Sequence, residues 1–307
     1  MTEATTPDGL LGIEDLSRDE IEAILTRAKE FQPVQHQRFK QLDALHGKMV
    51  VNLFLEPSTR TRTSFEIAAR RLGADVVGIS GAGSSLSKGE SLVDTLNTLA
   101  AMRPDAIVMR HKASGAPHFL ARYLKMPIIN AGDGTHEHPT QALLDARTIL
   151  DRKPSLEGLR VAIIGDIVHS RVARSNAYLL AKFGVDIVLC GPAPLVPPQL
   201  EDIAPGISIE YDLCEAIKDA DVIMMLRVQL ERQNETNFPA GEYFSFYGLG
   251  LEHIDLAKPD VFVMHPGPIN RGREISSEVA DSQRSVILNQ VENGVAVRMA
   301  VLERILG

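Results

Sequence analysis

The 307-residue sequence has no tryptophan and two cysteines, Cys190 and Cys214. Two cysteines cannot supply the disulfide framework of a small secreted domain, and we predict both to be core residues in a reducing compartment. No apolar run approaches the roughly 18 residues that a membrane-spanning helix needs. The first residues also lack the basic and apolar segments of a secretion signal. These absences predict a cytoplasmic protein that makes no use of a membrane.

Basic residues are in the minority, with 32 Lys and Arg against 40 Asp and Glu and a net charge of −8. A general nucleic-acid binder presents a basic face, so this balance argues against nucleic acid as a partner. Net charge does not describe a single site, and an anionic small substrate stays possible. The length predicts two domains at roughly 150 residues each.

Apolar strands and amphipathic helices alternate along the whole chain. A capping box formed by Ser17 and Glu20 predicts the start of the first helix. Strict alternation predicts an α/β fold of two doubly wound parallel-sheet domains with the active site in the interdomain cleft. The strands are predicted at 49–55, 75–80, 105–110, 127–131, 160–166, 185–191, 207–211, 222–226 and 261–265.

A composition break at 151–155 is the best candidate domain boundary. It separates a first domain, 1–150, from a second, 151–289. A helix at 290–307 is expected to pack back on the first domain.

The stretch Ser58-Thr59-Arg60-Thr61 follows the first predicted strand and opens a helix. Helix N-termini present N–H groups and a partial positive charge, and arginine binds phosphate through two hydrogen bonds. The stretch therefore favours phosphate binding. An ordinary N-cap with solvated arginines is the alternative.

Further cations stand where other predicted strands end, namely Arg110, Arg171 and Arg227, with Lys88 in a Gly/Ser-rich loop. Each is weak evidence alone. Together with Arg60 they predict a cationic site in an acidic protein, and therefore polyanionic ligands such as a phosphate and a dicarboxylate.

A loop at 133–138 carries His136 and His138 close to two acids. The spacing of a metal motif such as H-E-x-x-H is absent, so no metal is expected. We favour hydrogen-bond donation by His138 and by Gln141, one helical turn later.

Known catalytic signatures are missing. Only Gly165 is present where a dinucleotide fold needs three glycines, which argues against NAD, and no cofactor is expected. No nucleophile elbow accompanies the arginines, so positioning and electrostatics are the expected source of catalysis. The turn Pro266-Gly267-Pro268 can offer carbonyl oxygens to an NH₂ group, or it is a plain turn.

Several stretches together carry a specific resemblance over nearly the whole chain. The sequence is similar to the catalytic chains of the aspartate carbamoyltransferase branch of the aspartate/ornithine carbamoyltransferase family. The stretches are FLEPSTRTRTSFE at 54–66, SLSKGESLVDT at 85–95, VMRH at 108–111, HPTQALLD at 138–145, GDIVHSRVARSN at 165–176, RVQLER at 227–232 and HPGPINRG at 265–272.

The resemblance implies transfer of a carbamoyl group from carbamoyl phosphate to L-aspartate in pyrimidine biosynthesis. It implies a phosphate cradle of Ser58, Thr59, Arg60 and Thr61, and polarisation of the carbonyl oxygen by Thr61, Arg110 and His138. It assigns the carbamoyl NH₂ to Gln141 and the Pro266-Gly267-Pro268 turn. It assigns the binding of aspartate to Lys88, Arg171, Arg227 and Gln229.

The same resemblance implies a homotrimer with shared active sites, because Ser85 and Lys88 match residues that the family donates to a neighbouring subunit. A regulatory chain or a dihydroorotase is a possible further partner. Ornithine carbamoyltransferase is the nearest alternative, although Pro266 stands where that enzyme would carry a cysteine. A non-catalytic phosphate- or dicarboxylate-binding protein is the other.

Overall fold

The computed structural model describes residues 9–81, 91–227 and 240–307, and for residues 240 and 241 it describes the backbone only. They form two compact units. Unit 1 consists of the described residues up to Leu143 together with Asn293–Gly307, and unit 2 is Leu144–Glu292. None of the helices in these ranges is both long and apolar enough to cross a membrane.

Unit 1 is built on a four-stranded parallel sheet with the order β2-β1-β3-β4. Its strands are β1 (Met49–Phe54), β2 (Asp75–Ser80), β3 (Ala106–His111) and β4 (Ile128–Asp133). Its helices are α1 (Arg18–Phe31), α2 (Thr59–Arg71), α3 (Leu92–Ala101) and α4 (Ala116–Ala121), joined by the start of α5 (Pro139–Leu150) and most of α11 (Ile287–Leu306).

Burial follows the position of each strand in this sheet. The central β1 is buried along almost its whole length and is apolar except for Asn52, as expected of a strand covered on both faces. The edge strand β2 is largely exposed, including Val77. Leu53, Ile107 and Met109 lie in the core cluster beneath α3 and α4.

Unit 2 is built on a five-stranded parallel sheet with the order β7-β6-β5-β8-β9. Its strands are β5 (Arg160–Ile164), β6 (Asp186–Cys190), β7 (Ile207–Glu210), β8 (Val222–Met225) and β9 (Phe262–Met264). Its helices are α6 (Arg171–Ala181), α7 (Leu213–Ile217), α8 (Ala240–Tyr247), α9 (Leu251–Ile254) and α10 (Ser277–Ala280). Short 3₁₀ turns occur at Pro33–His36, Ala193–Leu195 and Pro198–Ile203.

The two parallel sheets confirm the predicted fold class. The capping box is also confirmed, since the Ser17 hydroxyl accepts from the Glu20 N–H and the Glu20 carboxylate accepts from the Ser17 N–H. The prediction for Cys214 is wrong: Cys190 is buried in β6, whereas Cys214 is exposed on α7. Cys214 follows the apolar Leu213, but on a helix neighbouring residues face different directions.

Candidate active site

Each sheet has one point at which the chain order reverses. The chain proceeds outward from β1 to β2 on one side and from β3 to β4 on the other, so the reversal lies between β1 and β3. In unit 2 it lies between β5 and β8. Ligands of open parallel sheets bind at the carboxyl ends of the strands at such points. The predicted residues within β3 or in the segments after the other three strands, up to the start of the next helix, are 58–61, Arg110, Arg171 and Arg227.

The start of α2 presents the backbone N–H groups of a helix N-terminus, which suit an anion. Ser58 is the N-cap, and its hydroxyl accepts from the Thr61 N–H at 3.3 Å. Thr61 is buried, whereas Thr59 and Arg60 are exposed in the first turn, which contains no acid. A cation at a helix N-terminus opposes the helix dipole, so Arg60 costs stability there until an anion binds.

Arg110 lies where the β3–β4 ladder is irregular. The register pairs Met109 with Asn130 and then His111 with Asp133, so β4 has an additional residue here. Such a bulge redirects side chains and is common beside active sites. The guanidinium donates to Glu56 Oε1 at 2.7 Å and to the Ala131 carbonyl oxygen at 3.2 Å. Arg110 is thereby held between the segment after β1 and the end of β4.

The loop after β4 is organised by the fully buried carboxylate of Asp133. It accepts from Asn130 Nδ2 at 2.8 Å, and from the N–H groups of Gly115 at 2.6 Å and Glu137 at 3.1 Å. His136 Nδ1 lies 3.1 Å away. Burial raises the pKa of Asp133, but these hydrogen bonds outweigh it and hold the pKa below its ordinary value.

A second buried carboxylate, Glu137, anchors the same loop to the segment before α1. Its oxygens accept from the Ile13 N–H at 2.8 and 3.0 Å and from the Glu14 N–H at 3.3 Å. The next residue, His138, is buried and caps α5, since its carbonyl oxygen accepts from the Gln141 N–H at 2.9 Å. His138 and Gln141 are therefore fixed together at the start of one helix.

His118, Asp133 and His136 offer possible metal-ligand atoms within 4.8 Å of one another. Each oxygen of Asp133 already accepts hydrogen bonds, as described above. The geometry therefore favours a structural use of this carboxylate, and the expectation of no metal stays a prediction.

In unit 2 the segment after β5 folds tightly against β8. Gly165 has a φ of +138°, and a Cβ there would lie 3.0 Å from the Leu226 Cβ, so only glycine fits. The buried Asp166 carboxylate lies 2.8 Å from His169 Nδ1. Arg171, the first residue of α6, is buried although it is a cation.

Arg227 follows β8 and is half-buried, and the 266–268 turn follows β9. Pro266 and Gly267 are half-buried, and Gly267 has a φ of +67°. Because β5, β8 and β9 are parallel neighbours, Arg171, Arg227 and this turn all lie at the carboxyl edge of one sheet. Ser85, Lys88 and Gln229 lie outside the described residues.

Family models match both parts of the chain. The carbamoyl-phosphate-binding domain of aspartate/ornithine carbamoyltransferases matches residues 9–151, and their aspartate/ornithine-binding domain matches residues 157–305. The aspartate carbamoyltransferase catalytic subunit of Solibacter usitatus is 76% identical, over 98% of this chain and 100% of that one. The chain belongs to the aspartate/ornithine carbamoyltransferase family.

Solved structures of this family have the same fold. Aspartate transcarbamoylase of Trypanosoma cruzi, in complex with carbamoyl aspartate and phosphate, matches with a TM-score of 0.88 at 34% identity, covering 98% of this chain and 96% of that one. Ornithine carbamoyltransferase of Pyrococcus furiosus matches with a TM-score of 0.83 at 31% identity, covering 96% and 95%. Both branches of the carbamoyltransferase family therefore share the architecture, and specificity depends on individual side chains.

Sequence reasoning missed the acids that support the predicted site residues of this carbamoyltransferase. Glu56 stands two residues before Ser58, and an acid next to a run of cations was the available signal. Glu274, which contacts His265 from nine residues away, gives no local signal. Buried acids are found only when the fold shows what surrounds them.

Proposed function

We propose that this chain transfers the carbamoyl group of carbamoyl phosphate to the amine of L-aspartate, giving N-carbamoyl-L-aspartate and phosphate. The observation that carries the proposal is the exposed Arg60 in the acid-free first turn of α2, at the reversal point of a parallel sheet. The names of the Solibacter usitatus relative and of the Trypanosoma cruzi structure, aspartate carbamoyltransferase and aspartate transcarbamoylase, support this reaction and, through it, a role in pyrimidine biosynthesis.

In this proposal Ser58, Thr59, Arg60 and Thr61 bind the phosphate. The backbone N–H groups of a helix start and a two-pronged guanidinium both suit phosphate oxygens. The support is the hydroxyl-rich N-terminus of α2, where the Ser58 oxygen accepts from the Thr61 N–H and the hydroxyl can still donate its hydrogen to an anion.

Thr61, Arg110 and His138 are proposed to polarise the carbonyl oxygen of the carbamoyl group. Donors fixed in advance stabilise the charge that develops on this oxygen in the transition state. Rigid placement supports the role, because Arg110 is held by Glu56 and Ala131. Gln141 and the oxygens of the Pro266-Gly267-Pro268 turn are proposed to hold the carbamoyl NH₂.

Arg171, Arg227 and Gln229 are proposed to bind the two carboxylates of aspartate, with Lys88 as a further cation. Guanidinium groups bind carboxylates through paired hydrogen bonds. Arg171, as the first residue of α6, and Arg227, two residues after β8, both lie at the carboxyl edge of the sheet of unit 2, which supports the assignment.

The chemical step is a direct displacement. The neutral amine of aspartate attacks the carbamoyl carbon, a C–N bond forms, and a tetrahedral intermediate results. The bond from that carbon to the phosphate oxygen then breaks, and the phosphate leaves with the electron pair and takes up the amine proton. Arg60 and Arg110 stabilise the charge on phosphate and on the carbonyl oxygen.

The proposed active form is a cytoplasmic homotrimer in which Ser85 and Lys88 serve a neighbouring subunit. Residues 1–150 with 290–307 are proposed to bind carbamoyl phosphate and residues 151–289 to bind aspartate. Solution mass by light scattering tests the trimer, and a monomer with full activity would contradict it.

Ornithine is the alternative acceptor, because an ornithine carbamoyltransferase shares the fold. The purified chain is assayed with carbamoyl phosphate and either L-aspartate or L-ornithine, with detection of the carbamoylated product. We expect product with aspartate alone, since Arg227 would repel the second amino group of ornithine. Carbamoylation of ornithine would contradict the proposal. Tight binding of a phosphonate-dicarboxylate bisubstrate analogue without turnover would indicate a binding protein.

A further inference from the structure

The side chain of His265 is buried and lies directly after β9, one residue before the turn that is proposed to hold the carbamoyl NH₂. Its Nδ1 accepts a hydrogen bond from the Gly267 N–H at 2.8 Å. A ring nitrogen that accepts cannot carry a proton, so the ring is neutral with its proton on Nε2.

The proton on Nε2 has a defined acceptor. Nε2 lies 3.2 Å from Oε1 of Glu274, a carboxylate that is fully buried. The same oxygen accepts from the Asn270 N–H at 2.5 Å. Glu274 therefore selects the tautomer of His265 and also fixes the far end of the 265–270 segment.

The near end of this segment is fixed by another buried chain of hydrogen bonds. The His265 N–H donates to Gln290 Oε1 at 2.9 Å, and Gln290 Nε2 donates to Asp145 Oδ1 at 2.7 Å. The other oxygen of Asp145 accepts from Asn176 Nδ2 at 2.8 Å. The turn is thus tied to α5, α6 and α11 by polar groups shielded from water, where hydrogen bonds define geometry strongly.

The imidazole also determines where one carbonyl points. The peptide bond between Pro266 and Gly267 is trans, and in a trans peptide the C=O and the N–H point in opposite directions. Because the Gly267 N–H is directed at His265 Nδ1, the Pro266 oxygen is directed away from the ring. Rotation of this peptide would break the bond to His265.

We propose that His265 is a positioning residue that orients the Pro266 carbonyl oxygen toward the NH₂ of carbamoyl phosphate, so that acyl phosphates without this NH₂ are rejected. The proposal rests on the proposed function. A hydrogen-bonding site discriminates strongly against an analogue that lacks the donor, because its buried acceptor is then left without a partner. Acetyl phosphate, with a methyl group in place of NH₂, is the matched probe.

Two variants separate the two ring nitrogens. In His265→Asn the amide oxygen can take the place of Nδ1 and still accept from the Gly267 N–H. In His265→Gln the amide reaches the place of Nε2 and Glu274, and no acceptor remains near Nδ1. His253→Ala is the control, because His253 Nδ1 accepts from the Gly250 N–H at 3.0 Å in the same unit but outside the proposed site.

The measured quantity is the inhibition constant of acetyl phosphate divided by the KM of carbamoyl phosphate. We expect this ratio to fall about tenfold in His265→Gln, the value of one neutral hydrogen bond. It should stay within about twofold of the wild-type ratio in His265→Asn and His253→Ala. An unchanged ratio in folded His265→Gln, or an equal fall in both His265 variants, would overturn the proposal.

Nitrogen NMR of the wild-type protein with ¹⁵N-labelled histidine tests the tautomer independently of variant folding. A proton on Nε2 of His265 is expected, and a proton on Nδ1 would overturn the proposal. If the wild-type protein failed to carbamoylate aspartate, the proposed function would fall while the tautomer result still stood.

Discussion

The two units use the same device at the amino ends of their central strands. In unit 1, Asp105 precedes β3 and its carboxylate accepts from the Met49 N–H at 2.8 Å, while its own N–H donates to the Met49 oxygen at 2.8 Å. In unit 2, Asp221 precedes β8 and accepts from the Arg160 N–H at 2.9 Å, with its N–H donating to the Arg160 oxygen at 2.8 Å. Both acids join the first residues of the two strands that flank the reversal point.

The lysines around the two acids differ. Lys48 lies 3.5 Å from Asp105 with its side chain 41% exposed. Asp221 binds two lysines, the buried Lys153 at 3.0 Å and Lys258 at 2.7 Å. Both acids therefore bind the main chain of a neighbouring strand, but only Asp221 also neutralises a buried lysine. We expect Asp221 to contribute more to stability than Asp105.

Asp221→Ala compared with Asp105→Ala tests this difference most strongly. Removing one partner of a buried ion pair costs about 3 to 5 kcal/mol, because the remaining charge loses its compensation. Loss of a hydrogen bond beside an exposed lysine costs about 1 to 2 kcal/mol. Urea unfolding followed by circular dichroism measures both. Equal losses would mean that Lys153 finds sufficient compensation elsewhere, for example from Asp260.

Residues at the carboxyl ends of the strands are expected to affect activity rather than stability. Arg60→Ala should lower kcat by about 100- to 1,000-fold with a smaller change in KM, because its interaction with phosphate strengthens in the transition state. Arg62→Ala, an exposed arginine in the same helix, is the control and should stay near the wild-type rate. Normal kcat with only a raised KM for carbamoyl phosphate in Arg60→Ala would contradict the assignment.

Arg227→Ala should affect ground-state binding in unit 2. We expect the KM for aspartate to rise by roughly 100-fold, the cost of one charged hydrogen bond of about 3 kcal/mol, with little change in the KM for carbamoyl phosphate. Steady-state kinetics at varied aspartate measure it, with Arg152→Ala as the surface control. An unchanged dependence on aspartate would remove Arg227 from the site.

The smallest expected effect is a pH dependence of the stability that Asp221 gives to unit 2. Burial raises the pKa of Asp221, but hydrogen bonds from Lys258, the Arg160 main chain and Lys153 outweigh it and leave the pKa below its ordinary value. Such a group stabilises the fold fully above its unfolded pKa of about 3.9 and loses that contribution as the pH falls through its folded value.

The stability difference between wild type and Asp221→Asn should therefore be constant from about pH 5 to 7 and shrink below about pH 4. Urea unfolding at a series of pH values measures this difference. If this stability difference increased on acidification, the pKa of Asp221 would be raised in the folded protein, which would contradict the prediction.

The sequence predicted what depends on local pattern. Dense apolar runs revealed β1 and β5, and the pair of Ser17 and Glu20 revealed the start of α1. The short helices α7, α9 and α10 were not predicted, because four or five residues carry too little periodicity.

Long-range contacts could not be predicted from the sequence, for a physical reason. Glu137 meets Ile13 across 124 residues, and Gln290 meets Asp145 across 145. Such pairs depend on which strands become neighbours, and no local preference encodes that. Glu56, which supports Arg110 across 54 residues, and Glu137, which anchors the loop of His138, belong to this class.

The division of the chain has a consequence for protein synthesis. Unit 2 is continuous, so all of it has been synthesised once residue 292 is complete. Unit 1 includes Asn293–Gly307, which contact its first half through Gln32 with Asn293 and Ser64 with Arg298. Because domains fold as units, unit 1 cannot complete its fold until these last residues are available, although its first residues are synthesised before any of unit 2.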